Sequence, residues 1–389
     1  MGRVHGTECE IVAPPETFAV LGRLAQVEDV GFSPSGDRMA LVGYGNDSLA
    51  LVDVRVDPGP DGERVVLGAA VHVTHPLLAS PHGVCFLDEW TLVVANRGGD
   101  VVLFGISDGP TASAVLARID LAPGSLTGLA GPSSVLAVPG DDGAIVLLVC
   151  NTRGERITRH HLCRAADGTV TVVDNWVALE RWLDVPDGAT LSPDRRWIAV
   201  SNHRHHLVMV YDHAAMLAGV DRPVAVLRGA RYPHALQFVD DGRALLATDA
   251  GSPDLHRFDV PPGGWRGVVQ PSWSRRVIDD ATFACARVNS REGGVKGMAL
   301  HPGGRVLALT ARQRPVWFVG LATIAEGARP SDDDVRLGHE LALIEENAEW
   351  GRIDVVNALA LGSNAGPKPR PTNRQRLRWA WKQARGRFV

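Results

Sequence analysis

Residues 187–212 read DGATLSPDRRWIAVSNHRHHLVMVYD, and the fold is decided on this stretch. A short apolar strand runs into the turn Ser192-Pro193-Asp194. A second apolar strand follows, and a polar loop leads to a third strand that ends on Tyr211-Asp212. Short apolar runs bounded by Ser, Pro, Asp and Asn clusters read as strands rather than helices.

The same phrase recurs on both sides. Its copies are VEDVGFSPSGDRMALVGYGNDSLALVDV from Val27, HGVCFLDEWTLVVANRGGDVVLFGI from His82, HALQFVDDGRALLATDAGSPDLHRFDV from His234 and VKGMALHPGGRVLALTARQRPVWFVGL from Val295. A weaker copy starts at Leu126. The copies begin at Asp29, His82, Thr127, Asp187, His234 and Lys296. That repeat length is the one seen in propellers. No single strand set is stable alone, but four-stranded sheets stacked radially bury both faces. The expected fold is all-β: one β-propeller of about six four-stranded blades over 17–330, with seven as the alternative. Segments between copies supply the outer strands: ERVVLGAAVHV, ASAVLARIDL, TVTVVDNWVAL, PVAVLRGA and SRRVIDDATF. TFAVLGRLA (17–25) is expected to pair with the last blade and close the ring. Residues 331–365 read as a degenerate last blade or a helix, because Leu337, Leu341 and Ile344 fall at helical spacing.

These turns and strands resemble the YVTN/lactonase-like, NHL and gluconolactonase-like propeller families, with PDGATLSPDRRWIAVSN (186–202) nearest to them. The resemblance runs from Val27 to Leu321 and concerns blades; propellers host hydrolases, lyases, oxidoreductases and scaffolds alike. Gluconolactonase-like propellers hold a divalent ion with a Glu, an Asn and an Asp from separate blades. The resemblance makes Glu28, Asn202 and Asp187 or Asp249 the counterparts here. Oxygen ligands of that kind suit Ca²⁺ or Mg²⁺, whereas histidine ligands suit a transition metal. YVTN-type 6-phosphogluconolactonases act on an anionic lactone, which implies lactone or ester hydrolysis.

Propeller geometry places the start of each inner strand and the loop after each second strand on one face. A ring of ionisable residues in a concavity is a site signal. His82 and His234, in blades 2 and 5, face one another across six blades and suit acid–base work near neutral pH, with Lys296 beside them. Asn96 and the basic residues Arg97, Arg153, Arg204 and Arg312 form a clamp for a small anionic molecule. The bland reading is a wet channel mouth, which leaves a ligand-binding or protein-binding scaffold as the alternative function. In the HRHH run, His203, His205 and His206 read as a metal site or as a solvated loop. No GxSxG, CxxC pair or Walker A context occurs.

The chain has 389 residues, a formal charge of −4 and five scattered cysteines, which reads as a cytoplasmic protein with reduced thiols. The N-terminus lacks the apolar core of a secretory signal. The net charge argues against specific nucleic-acid binding. Residues 366–389 carry eight Lys or Arg and no acid, so the remainder stands at −12. This basic tail, with Leu377, Trp379 and Trp381, suits an acidic protein partner or an anionic membrane surface; a solvated tail is the simpler reading.

Overall fold

A computed structural model describes residues 8–325 except 60, 61, 108, 109, 119–125, 141–143, 288 and 290. The expectations for 331–365 and for the tail lie outside the described residues. Six antiparallel blades follow one another along the chain. Their inner strands are Val27–Phe32, Pro81–Asp88, Pro132–Pro139, Pro186–Leu191, Pro233–Val239 and Met298–Leu300. Each inner strand contacts the next, and the sixth contacts the first, so the ring is closed.

The apolar strands alternate as a two-faced blade requires. Leu92 and Val94 pack with Ala40, Val42 and Leu49 of blade 1, whereas Val93 and Ala95 pack with Val135, Ile145 and Leu147 of blade 3. Every gap between neighbouring blades carries such a core. This is why the second strand of each copy reads as a continuous apolar run.

Two edges are covered by strands from elsewhere. Glu10–Val12 lies parallel to Arg64–Val66 on blade 1, and Gly267–Val269 lies parallel to Ala225–Leu227 on blade 4. The expected outer strands hold for Gly62–Thr74, Leu116–Arg118, Val170–Leu179 and Ala225–Arg228. SRRVIDDATF divides: its start belongs to strand Trp273–Arg276, and Asp279 then caps helix Asp280–Cys285.

Closure differs from the expectation. TFAVLGRLA is not a strand; Pro15–Leu21 is a helix with proline at its start, lying against blade 1. The contact with blade 6 lies upstream. The Cys9 amide donates to the Phe318 carbonyl, and Arg314 grips Glu8 at 2.8 and 2.7 Å. Among the described residues no helix is long and apolar enough to cross a membrane. The five cysteines are free thiols.

Candidate functional site

One position of each inner strand forms the wall of the channel mouth. Pro81, Pro132, Pro186 and Pro233 pair with Asn96, Asn151, Asn202 and Asp249, so the residue after each proline is equivalent from blade to blade. The ring is Glu28, His82, Ser133, Asp187, His234 and Lys296, all buried. The third member corrects the sequence expectation. Thr127 is exposed on the approach loop, because the inner strand starts only after Gly131.

Glycine sets this wall. His82-Gly83, Asp187-Gly188 and Lys296-Gly297 each place a glycine against the neighbouring inner strand. A Cβ there would lie 2.4 Å from the Ser133 carbonyl oxygen, 2.2 Å from that of His234 and 2.6 Å from the Asp29 Cα. Only without side chains at these positions do the inner strands approach closely enough for the ring residues to converge.

They do converge. His82 Nε2 lies 3.6 Å from Glu28 Oε2 and 3.9 Å from Asp187 Oδ1. His234 Nε2 lies 3.7 Å from Glu28 Oε2 and 3.4 Å from Asp187 Oδ2. The two imidazoles stack with centroids 5.3 Å apart. His82 Nδ1 lies 3.0 Å from the Ser133 carbonyl, so Nδ1 carries the proton and Nε2 presents a bare lone pair. That Nε2 is buried and has no hydrogen-bond partner.

Around this centre Arg97 Nη2 meets Asp187 Oδ1 at 2.5 Å, and Lys296 Nζ meets Glu292 Oε2 at 2.6 Å. His203 stands between carboxylates, 3.7 Å from Asp187 and 3.6 Å from Glu292. Burial, aided by the Arg97 charge, lowers the pKa of His82 to about 4. Burial lowers His234 to about 3 despite the pull of Asp187, with Lys296 adding to the depression. Both imidazoles are therefore neutral at pH 7. Burial raises the Glu28 and Asp187 carboxyls, but their cationic neighbours outweigh it, Lys296 for Glu28 and Arg97 for Asp187, and both pKa values end low. His203 is raised: the Glu292 and Asp187 charges overcome its burial.

Glu28, His82 and His234 thus converge, and Asp187 flanks them. The Nε2 atoms of His82 and His234 and an oxygen of Glu28 lie within 4.8 Å of one another. Ligands about 2.1 Å from one ion stand about 3.0–3.5 Å apart, and Glu28 Oε2 lies 3.6 and 3.7 Å from the two Nε2 atoms, so these three fit a cation after a small contraction. The backbone bond at His82 Nδ1 is the usual support for an imidazole ligand. Mixed imidazole and carboxylate donors suit a divalent transition metal rather than Ca²⁺ or Mg²⁺.

Other expected site residues lie elsewhere. Asn96, Asn202 and Asp249 are corrections: their side chains pin the loops that enter their own blades. Asn96 Oδ1 accepts from the Ala79 amide, and Asn202 Oδ1 from that of Asp184. Asp249 accepts from the Arg231, Tyr232 and Gly251 amides. Asn202 and Asp249 therefore leave the metal set, and Asn96 leaves the substrate set. Of the arginines only Arg97 reaches the ring. Arg153 is exposed, Arg312 is exposed and donates to the Arg287 carbonyl, and Arg204 stands 3.8 Å from Asp184. The HRHH histidines diverge: His203 faces the ring, His205 lies 3.7 Å from Asp184, and His206 Nδ1 contacts the Arg231 carbonyl.

Ser274, His256 and Asp249 form a serine–histidine–aspartate array, with contacts of 2.6 and 3.2 Å. Blade 3 repeats its outer half, since His160 Nδ1 contacts Asn175 Oδ1 at 2.6 Å across the same pair of strands. The array is a clamp between outer strands. Its three residues lie on the second, third and fourth strands of blade 5, with Ser274 and His256 paired directly across neighbouring strands.

No protein-family model matches the sequence, and no curated protein is similar to it in sequence. Solved structures align over most of the chain, and three of them illustrate the likeness. Hydrazine synthase of Kuenenia stuttgartiensis is 15% identical, with 89% of this chain and 88% of that chain covered and a TM-score of 0.49. A luciferin-regenerating enzyme is 13% identical, with 78% and 92% covered and a TM-score of 0.49. A putative gluconolactonase is 15% identical, with 77% and 89% covered and a TM-score of 0.46. At these identities and TM-scores the likeness carries no inference about chemistry.

Proposed function

We propose that this propeller is an enzyme that hydrolyses the lactone or ester of a small anionic molecule at the channel mouth. A divalent transition metal would be held there by Glu28, His82, His234 and Asp187. The observation that carries the reading is the bare, buried His82 Nε2, which faces two ionised carboxylates with no proton or donor between them. Lone pairs facing carboxylates in a desolvated site repel unless a cation joins them.

When bound, such an ion supplies Lewis-acid polarisation of a carbonyl. The chain's own groups do the rest. Ser133 fixes the tautomer of His82 through its carbonyl. Gln26 Nε2 donates to Glu28 Oε1 at 2.7 Å, which leaves Oε2 turned to the imidazoles. Lys296 Nζ and Arg97 place positive charge at the ring, each paired with a carboxylate, and favour an anionic substrate there.

Turnover of a panel of small lactones and carboxylate esters by the zinc-loaded protein tests this function. His82→Ala and His234→Ala are expected to abolish turnover while each leaves a cooperative melt. Full turnover in both variants would refute the assignment. Tight small-ligand binding without turnover in the native chain would favour the scaffold reading.

A further inference from the structure

The two cations that touch the ring's carboxylate network, Arg97 and Lys296, are each engaged by a carboxylate. Arg97 holds Asp187 at 2.5 Å, and Lys296 holds Glu292 at 2.6 Å. Three carboxylates, Glu28, Asp187 and Glu292, stand against these two cations. Even with His203 charged the sum only reaches neutrality. Among these six groups an anion meets no surplus positive charge, and Arg97 Nη2 is taken up by Asp187.

A divalent cation changes both conditions. It adds two positive charges and, held by Glu28, His82 and His234, would stand beside Asp187, whose Oδ2 lies 3.4 Å from His234 Nε2, and compete with Arg97 for that carboxylate. Glu292 is outside the cation's ligand set, so Lys296 keeps its partner while Arg97 is released. Arg97 is half-buried, more open to solvent than the Asp187 it holds.

We infer that Arg97 is the anion-positioning residue of this site, and that it is freed for that role only when a divalent cation takes over Asp187. The cation binds first and creates the affinity for a small carboxylate. This rests on the cation site proposed above. Binding linkage then requires reciprocity, because the factor by which the cation raises anion affinity is the factor by which the anion raises cation affinity.

Isothermal titration of the intact chain tests this, with Zn²⁺ and glycolate as probes and Arg97→Gln as the variant. In the native chain Zn²⁺ is expected to tighten glycolate binding roughly 5- to 150-fold, with glycolate tightening Zn²⁺ by the same factor. Arg97→Gln is expected to bind Zn²⁺ at least as tightly as the native chain, because Asp187 loses a competing partner, and to lose the glycolate enhancement. Equal glycolate affinity with and without Zn²⁺ would overturn this inference and leave the cation site standing. Failure of Zn²⁺ to bind would overturn both. Weaker Zn²⁺ binding in Arg97→Gln with the enhancement intact would make Arg97 a purely structural residue.

Discussion

Gly188→Ala should damage the site from a position that touches no ligand. The added Cβ would sit 2.2 Å from the carbonyl oxygen of His234 and 3.2 Å from its carbonyl carbon. Contacts below 3.0 Å are essentially unknown for real Cβ atoms, so the two inner strands must part by about 0.8 Å or more. Both atoms are backbone, and no side-chain rotation relieves the clash. Overpacking of this kind costs about 1–3 kcal/mol. For a chain of this size the melting point should fall by roughly 1–4 °C. The displaced strand carries His234, whose Nε2 lies 3.4 Å from Asp187, so zinc affinity should drop with stability. Calorimetry and zinc titration check both effects. Gly99→Ala is the control, because its Cβ would meet only Ala79 Cβ at 3.4 Å and Asn96 Cβ at 3.6 Å. An unchanged melting point and zinc affinity in Gly188→Ala would refute the claim that glycine-mediated strand contact sets the ring.

Two further outcomes follow from the same geometry. Between pH 6.5 and about 4 the unfolded chain takes a proton at His82 that the folded chain refuses, so stability falls as pH falls through that window. Relative to His82→Gln, the metal-free native chain should lose up to roughly 3 kcal/mol across it by urea unfolding. The subtraction cancels Asp29, which burial raises to about 7 and which acts in the opposite sense. A flat difference would show that His82 titrates normally. Ser274→Ala should retain turnover and zinc while losing about 1 kcal/mol of stability as the His256 clamp opens; abolished turnover would restore the array as catalytic.

Much of the propeller was legible because its apolar runs alternate with turn residues at a regular spacing. Five of the six ring members follow from that frame. The third was misplaced because Leu126 and Leu129 resemble a strand start, whereas Gly131-Pro132 marks the real one. TFAVLGRLA misled for a related reason: a short apolar run does not distinguish strand from helix, and the Pro14-Pro15-Glu16 start decided it. Asn96, Asn202 and Asp249 end the second strands of their blades rather than standing in loops, and register alone does not reveal that their side chains turn back onto the backbone. Glu292 was missed because it sits in a polar stretch without strand pattern; its place four residues before Lys296 was the available signal. The ring itself had an unused marker in His82-Gly83, Asp187-Gly188 and Lys296-Gly297, where a glycine follows the ring residue.

The central claim is that Glu28, His82, His234 and Asp187 hold a divalent cation. Elemental analysis of the intact chain after zinc loading and exhaustive dialysis tests it most directly, with Glu28→Gln and His234→Ala treated alongside. One zinc per native chain, lost in both variants while their melts stay cooperative, is the predicted result. A native chain that dialyses to zero zinc, or variants that keep a full equivalent, would contradict the claim.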